Sequence, residues 1–347
     1  MKILVSALET SSNIHLKELL KEFDETTEFF GIFDKKLGPA SYDLEELAVM
    51  GFVDILKKLP FFFKLKKEMV ELAREADKVL LMDSSGFNLP LAKAIKKEFP
   101  NKEIIYYILP QAWAWKKGRI PKIEKYCDKL CSILPFEKDF YSQKDKITYV
   151  GHPLLDEITS YKTQQSSSSS IVFMPGSRRT EITNHMPIFR ELIKKIPQME
   201  FVLIIPSKFD QNYIEKTYGD ISSFTLSSNA HESLKKAHYA FICSGTATLE
   251  AAIIGTPFTL SYIAKKLDYF IGSRLVKLPF VGLANIFFNK MGKGQIHSEF
   301  LQENVTAQAL FNDYKTMDKS LFLSNSQILR DYLQHGSSIK VKQIIQS

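Results

Sequence analysis

Short apolar segments rich in β-branched residues alternate with amphipathic stretches along the whole sequence. In the first half, this pattern predicts strands at Ile3–Ala7, Phe29–Phe33, Val79–Met82, Ile104–Leu109, Leu130–Leu134 and Ile147–Val150. Helices are expected between these strands, for example at Ile14–Phe23 and Leu89–Phe99. Such alternation is typical of βαβ units arranged around a parallel sheet.

The same pattern begins again after a polar tract at residues 164–170, two glutamines followed by five serines. The tract has no apolar side chains to bury, so it predicts a linker between domains. Beyond it, strands are predicted at Ile171–Met174, Phe201–Ile205, Phe224–Leu226, Tyr239–Cys243 and Phe258–Tyr262. Helices are predicted at Glu181–Lys195, Glu232–Ala237, Thr246–Ile254, Glu299–Asn312, Ser320–Leu333 and Ile339–Ile345.

The predicted fold class is therefore α/β, with two Rossmann-like domains facing a central cleft and with C-terminal helices. The predicted domains cover residues 1–163 and 171–315, and the helices fill residues 316–347. In open sheets of this kind, ligands bind beyond the carboxyl ends of the strands. The loops at those ends are the places where chemistry is expected.

Composition narrows the possible classes of function. A length of 347 residues agrees with two domains, and three cysteines form neither a disulfide framework nor a paired zinc site. No apolar run reaches the ~18 residues that span a bilayer, and the start of the chain lacks the pattern of a signal peptide, so a cytoplasmic location is expected. The net charge of +7 favours an anionic partner such as nucleic acid, a phospholipid surface or a phosphorylated substrate.

The first candidate loop follows the strand at Ile171–Met174 and contains Gly176, Ser177 and Arg178. A Gly-Ser turn between a strand and a helix presents backbone N–H groups, and an adjacent Arg provides a charged fork for phosphate oxygens. The alternative is an ordinary turn with solvated arginines.

A second loop of small residues, Ser244, Gly245 and Thr246, precedes another predicted helix. Thr246 is a candidate N-cap, and the amides beyond it would bind an anion with the support of the helix dipole. Glu250, near the end of the first turn, either contacts a ligand or only favours the dipole. Two such loops in one half favour a nucleotide diphosphate, and the sequence has no G-x-G-x-x-G pattern to support a nicotinamide dehydrogenase.

In the first half, two predicted strands end in acidic residues, Asp83 after Val79–Met82 and Glu9 after Ile3–Ala7. Each is a candidate general base. Otherwise Asp83 would cap the following helix, and Glu9 would be a solvent-facing loop acid. His152, which also follows a strand, either touches a ligand or is a hydrogen-bonded hinge residue.

The segment Met50–Lys67 is rich in phenylalanine and lysine, a composition typical of a segment that lies in the lipid interface. Its apolar residues would enter the acyl boundary, and its lysines would meet anionic head groups. The candidate docking residues are Leu56, Phe61, Phe62, Phe63, Lys57, Lys58 and Lys64. The alternative is a core helix with a solvated basic face, and Pro60 is expected to kink or break any helix here.

Six motifs in order along the chain together resemble the lipid-A-disaccharide synthase family. The motifs are Tyr42–Gly51, Pro110–Trp115, Leu134–Glu137, Val150–Pro153, Met174–Arg178 and Ser244–Glu250. The resemblance runs from Glu9 to about Gln302 and implies a GT-B inverting glycosyltransferase. Its substrates would be UDP-2,3-diacylglucosamine and 2,3-diacylglucosamine 1-phosphate, and its products the β-1′,6-linked lipid A disaccharide and UDP.

The resemblance also implies roles for single residues. Asp83 stands at the position of the family's strand-end catalytic Asp, and the positions in the UDP-binding half are Arg178, Glu250, Asn285 and Gln302. Peripheral attachment to anionic phospholipids on the cytoplasmic face of the inner membrane is implied for the region around Leu56–Phe63. Nucleic acid is not an expected partner, and a homodimer is compatible with the resemblance. Protein groups would meet the charge of the leaving UDP, so no metal cofactor is expected.

The loops at Glu9 and Asp83 both depart from the family pattern, and each of them lacks one acid. Asn13 stands where the family usually has Asp, and Gly86 stands where it usually has a second Asp. Two other functions stay open from the sequence: a UDP-sugar epimerase of the same architecture, which would need no lipid-facing segment, and a non-catalytic membrane-associated binder.

Overall fold

The computed structural model describes residues 1–49, 59–115, 117–243, 245–264 and 279–347. The chain forms two compact units. The first unit is Met1–Glu157 together with Leu333–Ser347, and the second unit is Ile158–Tyr332. This division differs from the predicted boundaries, because the chain changes unit after Glu157 and the polar tract at 164–170 belongs to the second unit.

Among the described residues, the first unit contains a seven-stranded parallel sheet. Its strands are β1 (Lys2–Ala7), β2 (Glu28–Phe33), β3 (Tyr42–Asp43), β4 (Lys78–Met82), β5 (Glu103–Tyr107), β6 (Lys129–Ser132) and β7 (Ile147–Tyr149). The spatial order is β3-β2-β1-β4-β5-β6-β7, so the order reverses between β1 and β4. Both of these strands are buried almost throughout, which explains their nearly continuous apolar sequences.

Helices cover both faces of this sheet. They are α1 (Thr10–Leu20), α2 (Leu44–Val49), α3 (Leu59–Leu72), α4 (Ser85–Glu98), α5 (Ala112–Trp115), α6 (Ile120–Tyr126) and α7 (Leu154–Glu157). Successive side chains of a strand point to opposite faces, so Leu4 joins one apolar cluster while Ile3 and Val5 join another.

Pro60 is the second residue of α3 as described, Leu59–Leu72. In the first turn of a helix the missing N–H of proline has no helical partner to lose, and the fixed backbone angle of proline suits the helix. Residues 50–58 lie outside the described residues, so the kink or break expected at Pro60 stays a prediction.

The second unit contains, within its described residues, a six-stranded parallel sheet. Its strands are β8 (Ser170–Met174), β9 (Glu200–Ile204), β10 (Thr225–Ser227), β11 (Tyr239–Cys243), β12 (Phe258–Tyr262) and β13 (Glu299–Leu301). The order β10-β9-β8-β11-β12-β13 reverses between β8 and β11. The helices are α8 (Arg179–Ile193), α9 (Gln211–Tyr218), α10 (Ala230–Lys236), α11 (Thr246–Ile254), α12 (Leu283–Lys290), α13 (Ala307–Thr316) and α14 (Lys319–Leu333).

The prediction of one helix over Glu299–Asn312 is wrong. Residues Glu299–Leu301 form β13, which pairs with Leu260–Tyr262 of β12, and the helix α13 begins only at Ala307. The strand forms because the free edge of β12 offers hydrogen-bonding partners that a local pattern does not reveal.

The last helix, α15 (Ser337–Gln346), returns to the first unit. The carboxylate of Asp156 accepts the backbone N–H groups of Gly336 and Ser338, both at 2.8 Å. Val341 and Ile345 are buried against the first sheet. The predicted block of C-terminal helices is thus divided at Leu333 between the two units. No helix in the described part of the chain is long and apolar enough to cross a membrane.

Glu137 is a buried carboxyl of the first unit. The hydroxyl of Ser132 donates to its Oε2 at 2.6 Å, and Oε1 has no partner among the described residues. Burial raises the pKa of Glu137 to about 8. An unfolded Glu ionises near pH ~4.3, so between that pH and about 8 the folded chain holds a proton that the unfolded chain has lost. The free energy of unfolding therefore falls as the pH rises through this window.

We expect Glu137→Gln to remove this pH dependence, because an amide does not ionise. Relative to the parent, the variant should gain stability from pH 5 to pH 8, by as much as ~4 kcal/mol. Both tryptophans of the chain belong to the first unit, so their fluorescence during urea denaturation follows this unit alone. Parallel stability profiles for parent and variant would contradict the prediction.

Candidate active site

Asp83 and Glu9 lie together where the strand order of the first sheet reverses. Glu9 follows β1, Asp83 follows β4, and the hydroxyl of Ser84 donates to Oε1 of Glu9 at 3.0 Å. Burial raises the pKa of both carboxyl groups, and the charge of Asp83 raises the pKa of Glu9 further. Partly buried acids at a switch point are suited to proton transfer.

The backbone at Asp83 is held in an unusual conformation. Asp83 and Ser84 have φ angles of 47° and 39°, a region that residues other than glycine rarely adopt. The Nδ2 group of Asn88 donates to the carbonyl oxygens of Met82 and Asp83, each at 3.0 Å. The hydroxyl of Tyr106 donates to the Asp83 carbonyl at 2.5 Å. The loop is thus fixed by buried groups around it.

The structure excludes the helix-cap alternative for Asp83. The N-cap of α4 is Ser84, and no side chain makes a capping hydrogen bond there. Asp83 therefore does not cap the helix, which favours the interpretation as a general base.

Asn13, a departure from the family pattern, stabilises the loop at Glu9. Its Nδ2 group donates to the carbonyl oxygens of Ala7 and Glu9, both at 2.9 Å, and its Oδ1 accepts the N–H of Asp34 at 2.7 Å. These contacts need an amide, since an ionised Asp has no donors. The amide thus orders the loop beside the candidate site.

His152 is buried and hydrogen-bonded within the first unit. Burial lowers the pKa of its imidazole to about 3, and Nδ1 accepts the backbone N–H of Leu154 at 3.3 Å. The backbone N–H of His152 donates to the carbonyl oxygens of Leu333 and Gln334. The residue therefore secures the end of the first unit to its returning segment, which agrees with a hinge residue rather than with a ligand contact.

In the second unit, the loops after β8, β9 and β11 surround a cavity of about 280 Å³. Five predicted UDP-binding residues line it, namely Gly176, Ser177, Arg178, Gly245 and Thr246. Ser244 lies outside the described residues. The cavity lies where the strand order of the second sheet reverses, as expected for a ligand site in this fold.

Glu181, which the sequence analysis did not single out, organises the first of these loops. Its Oε2 accepts the backbone N–H groups of Ser177 and Arg178 at 3.1 Å, and its Oε1 accepts Nη1 of Arg178 at 2.8 Å. A Cβ at Gly176 would lie only 2.7 Å from the Cβ of Glu181. The expectation that the two amides face a ligand is therefore wrong. The signal was present as an acid three residues after the helix N-cap, the spacing of a capping box.

The second loop leads into the N-terminus of α11. Gly245, not Thr246, is the N-cap of α11, and no described side chain caps this helix. The backbone N–H of Thr248 donates to the Gly245 carbonyl at 3.2 Å, so the amides of Thr246 and Ala247, which line the cavity, are the ones placed to meet an anion. The helix dipole adds favourable potential there. Arg178, whose side chain is 77% exposed, lines the same cavity. A cation and a helix N-terminus together form a suitable diphosphate site.

Three predicted UDP-binding residues are not among the described residues that line this cavity. Glu250 pairs with His231 at 3.3 Å between Oε2 and Nε2. Gln302 accepts the backbone N–H of Ala264 at 2.9 Å and has a φ angle of 55°. These contacts tie neighbouring elements of the second sheet together.

Asn285, the third, uses its whole side-chain amide within the protein. The Nδ2 group donates to the His297 carbonyl and to Oε1 of Glu299, at 2.9 and 2.8 Å. The Oδ1 atom accepts the backbone N–H groups of Ile296 and His297. These four bonds fill its hydrogen-bonding capacity, so the amide orders the segment before β13.

The three phenylalanines of the candidate lipid-interface segment differ in environment. Phe61 and Phe62 pack against the apolar core, and the ring centroids of Phe62 and Phe87 are 5.0 Å apart. Phe63 is 57% exposed, and Nζ of Lys66 lies 4.9 Å from its ring centroid. Lys64 is exposed on the same helix, whereas Leu56, Lys57 and Lys58 lie outside the described residues. The core interpretation therefore holds for Phe61 and Phe62, and the lipid-interface interpretation stays a prediction for Phe63 and Lys64.

The described ranges contain no group of three or more His, Cys, Asp or Glu side chains placed to hold a metal ion. Cys127 and Cys131 are buried free thiols, as expected for packing residues.

Comparison with known proteins identifies the relatives of this chain. A family model described as lipid-A-disaccharide synthetase matches residues 3–346. The lipid-A-disaccharide synthase of Helicobacter pylori strain G27 is 50% identical over 351 residues, covering 98% of this chain and 96% of the relative.

Solved structures share the architecture at low identity. The UDP-GlcNAc 2-epimerase of Neisseria meningitidis, bound to UDP-GlcNAc, superposes with a TM-score of 0.63 at 14% identity over the full length of both chains. A spinosyn rhamnosyltransferase in complex with thymidine diphosphate gives a TM-score of 0.61 at 11% identity and covers 99% of each chain. The predicted α/β fold of the GT-B class, with two Rossmann-like units, is confirmed.

Proposed function

The chain belongs to the lipid-A-disaccharide synthase family, and we propose that each of its two units has a separate task in the reaction of this family. The second unit binds UDP-2,3-diacylglucosamine, and the first unit supplies the general base for 2,3-diacylglucosamine 1-phosphate. The enzyme is a UDP-sugar-dependent glycosyltransferase that forms the β-1′,6-linked lipid A disaccharide and UDP.

The reaction needs one displacement, because the donor sugar is α-linked and the product is β-linked. The oxygen of the acceptor's 6-hydroxyl bonds to the anomeric carbon of the donor. The bond from that carbon to the UDP oxygen breaks, and its electron pair leaves with UDP. The proton of the hydroxyl passes to the Asp83 carboxylate.

The observation that carries this assignment is the partly buried Asp83 carboxyl at the switch point of the first sheet. Hydrogen bonds from Asn88 and Tyr106 fix the backbone at Asp83. The Asp83 side chain does not cap α4. Glu9 lies beside Asp83 and accepts a hydrogen bond from the hydroxyl of Ser84. A preorganised acid with a raised pKa suits a general base at neutral pH.

The diphosphate is bound in the cavity of the second unit. Arg178 and the first-turn amides of α11 provide positive potential for the charge that develops on the leaving UDP. Because protein groups meet this charge, we propose that the transfer requires no metal cofactor. Glu250, Asn285 and Gln302 support this site by holding the elements around it.

Incubation with both acylated substrates tests the function. We expect UDP release that depends on the acceptor. An epimerase would convert a UDP-sugar without acceptor, and a binder would release no UDP. The 50% identity to a named synthase favours transfer, since the likeness to the epimerase at 14% identity reflects the fold alone.

Docking to the cytoplasmic face of the inner membrane is proposed through the exposed part of α3. Phe63 offers an apolar ring, and Lys64 and Lys66 on the same helix offer charges for anionic phospholipids. Both substrates carry acyl chains, which gives such a surface a use.

We expect Phe63→Ser to weaken binding to anionic vesicles by roughly ten- to a hundredfold, because burying a Phe side chain is worth about 1.5–3 kcal/mol. High salt should weaken binding of the parent without abolishing it, since only the lysine contribution is screened. Leu321→Ser is the matched control, because Leu321 is also 57% exposed but lies on α14. Vesicle flotation measures the binding of both variants, and an equal loss of binding in Phe63→Ser and Leu321→Ser would argue against docking through α3. Phe61 and Phe62 are unsuitable test positions, because they pack against the core.

A further inference from the structure

A cationic side chain of the first unit, Arg119, lies close to the candidate base and has no part in the function described so far. It ends the connection from β5 to α6, and β5 is the neighbour of β4 in the sheet. Nη1 of Arg119 donates to the hydroxyl of Ser85 at 2.5 Å. Ser85 comes two residues after Asp83, and two residues of chain span at most ~7 Å. The guanidinium is therefore within reach of a small molecule that contacts Asp83.

The positive charge of Arg119 is not used within the described part of the protein. The Ser85 hydroxyl is the hydrogen-bond partner of the guanidinium there, and no described carboxylate forms an ion pair with it. A guanidinium has five N–H donors, and this one is partly exposed. A Cβ at Gly86 would meet no heavy atom within 4 Å, so open space lies directly beside Ser85. An unpaired guanidinium beside open space is suited to a bidentate contact with phosphate oxygens.

We propose that Arg119 binds the 1-phosphate of the acceptor and so selects an acceptor that carries this group. The inference rests on the proposed function, in which 2,3-diacylglucosamine 1-phosphate reacts with Asp83 as its base. In this sugar the carbons that carry the 1-phosphate and the 6-hydroxymethyl group both adjoin the ring oxygen, so the phosphate and the 6-hydroxyl are only a few ångströms apart. A cation that binds the phosphate must therefore lie near the base, as Arg119 does. The bound phosphate would also orient the 6-hydroxyl towards Asp83.

The test compares 2,3-diacylglucosamine 1-phosphate with the same sugar lacking the phosphate, and UDP release is the readout. For the parent, the phosphate should raise kcat/KM by roughly ten- to a hundredfold, the contribution of a charge-assisted contact. Arg119→Gln should lose this preference, mainly through a higher KM for the phosphorylated acceptor. With the other acceptor, the variant should stay within a few-fold of the parent. Where turnover of that acceptor is too slow to measure, its inhibition constant as a competitor gives the same comparison.

Two further variants sharpen the comparison. Arg119→Lys should keep part of the preference, because it retains the charge but not the planar fork. Lys125→Gln is the matched control, since Lys125 is an exposed cation near the other end of α6. Its removal should leave the preference for the phosphorylated acceptor unaltered.

The outcomes separate this inference from the proposed function. If the parent releases UDP with both acceptors equally well, the function stands and the inference is overturned, with no variant needed. A loss in Arg119→Gln that is equal for the two acceptors also overturns it, because Arg119 would then act on the fold or on Asp83. An equal loss of preference in Lys125→Gln would overturn it as well, since any positive charge would then serve. If the parent shows no acceptor-dependent UDP release, the proposed function itself fails, and the inference fails with it.

Discussion

Asp83→Asn is expected to lower kcat by roughly 10²–10⁴-fold while UDP binding stays nearly unchanged. The amide has almost the shape of the carboxylate but accepts no proton from the acceptor hydroxyl. UDP binding should persist because the proposed diphosphate site lies in the second unit, on Arg178 and the start of α11. Acceptor-dependent UDP release measures the rate, and calorimetry with UDP measures the binding.

Two comparisons make this result specific. Asp24→Asn removes a fully exposed carboxyl of the same unit and should leave the rate unaltered. Tryptophan fluorescence should show that Asp83→Asn is at least as stable as the parent, because Asp83 does not cap α4 and the amide carries no charge to desolvate. A rate within a few-fold of the parent would show that Asp83 is not the base.

Arg178→Ala should weaken the binding of UDP and of the donor by roughly ten- to a hundredfold. A charge-assisted hydrogen bond contributes about 1.5–3 kcal/mol, which corresponds to that range. The loop itself should survive, because Glu181 still accepts the two backbone N–H groups that fix it. EDTA should leave the rate of the parent unaltered, since protein groups meet the diphosphate charge.

The adjacent Arg179 is the matched control for this substitution. Arg179 is exposed and begins α8, but it does not line the cavity among the described residues. Arg179→Ala should therefore bind UDP like the parent. An equal loss of UDP affinity in both variants would indicate only a general effect of positive charge. Loss of activity in EDTA, with recovery in Mg²⁺, would contradict the proposal that the transfer requires no metal.

Much of the fold follows from local pattern. The strands around Val5, Leu80, Phe173 and Phe241 are buried on both faces, so their sequences are almost wholly apolar and are recognisable without a structure. The acids Glu9 and Asp83 directly follow such strands, which is why they were found as candidates. That the loops after β1 and β4 meet also follows from the rule for parallel sheets, once the strands are known.

The roles of polar groups within the loops depended on tertiary contacts. Ser177 and Arg178 have the sequence of a phosphate loop, but Glu181 occupies their amides. Asn285 matches a ligand-binding position, but His297 and Glu299 take up its hydrogen bonds. A backbone N–H bonds to an oxygen of a ligand or to a carboxylate of the same protein. The spacing of residues along the chain does not show which of the two lies near it.

The sequence by itself determined the class of fold, the family and the strand ends that carry the acids, because these depend on apolar periodicity and on ordered motifs. Only the tertiary structure decided that β13 is a strand, that Phe62 is buried while Phe63 is exposed, and that the C-terminal segment returns to the first unit. Each of these depends on a partner distant in the chain: the edge of β12, the ring of Phe87 and the carboxylate of Asp156. A local pattern indicates whether a residue is buried, whereas the packing of the whole chain determines which distant residues it contacts.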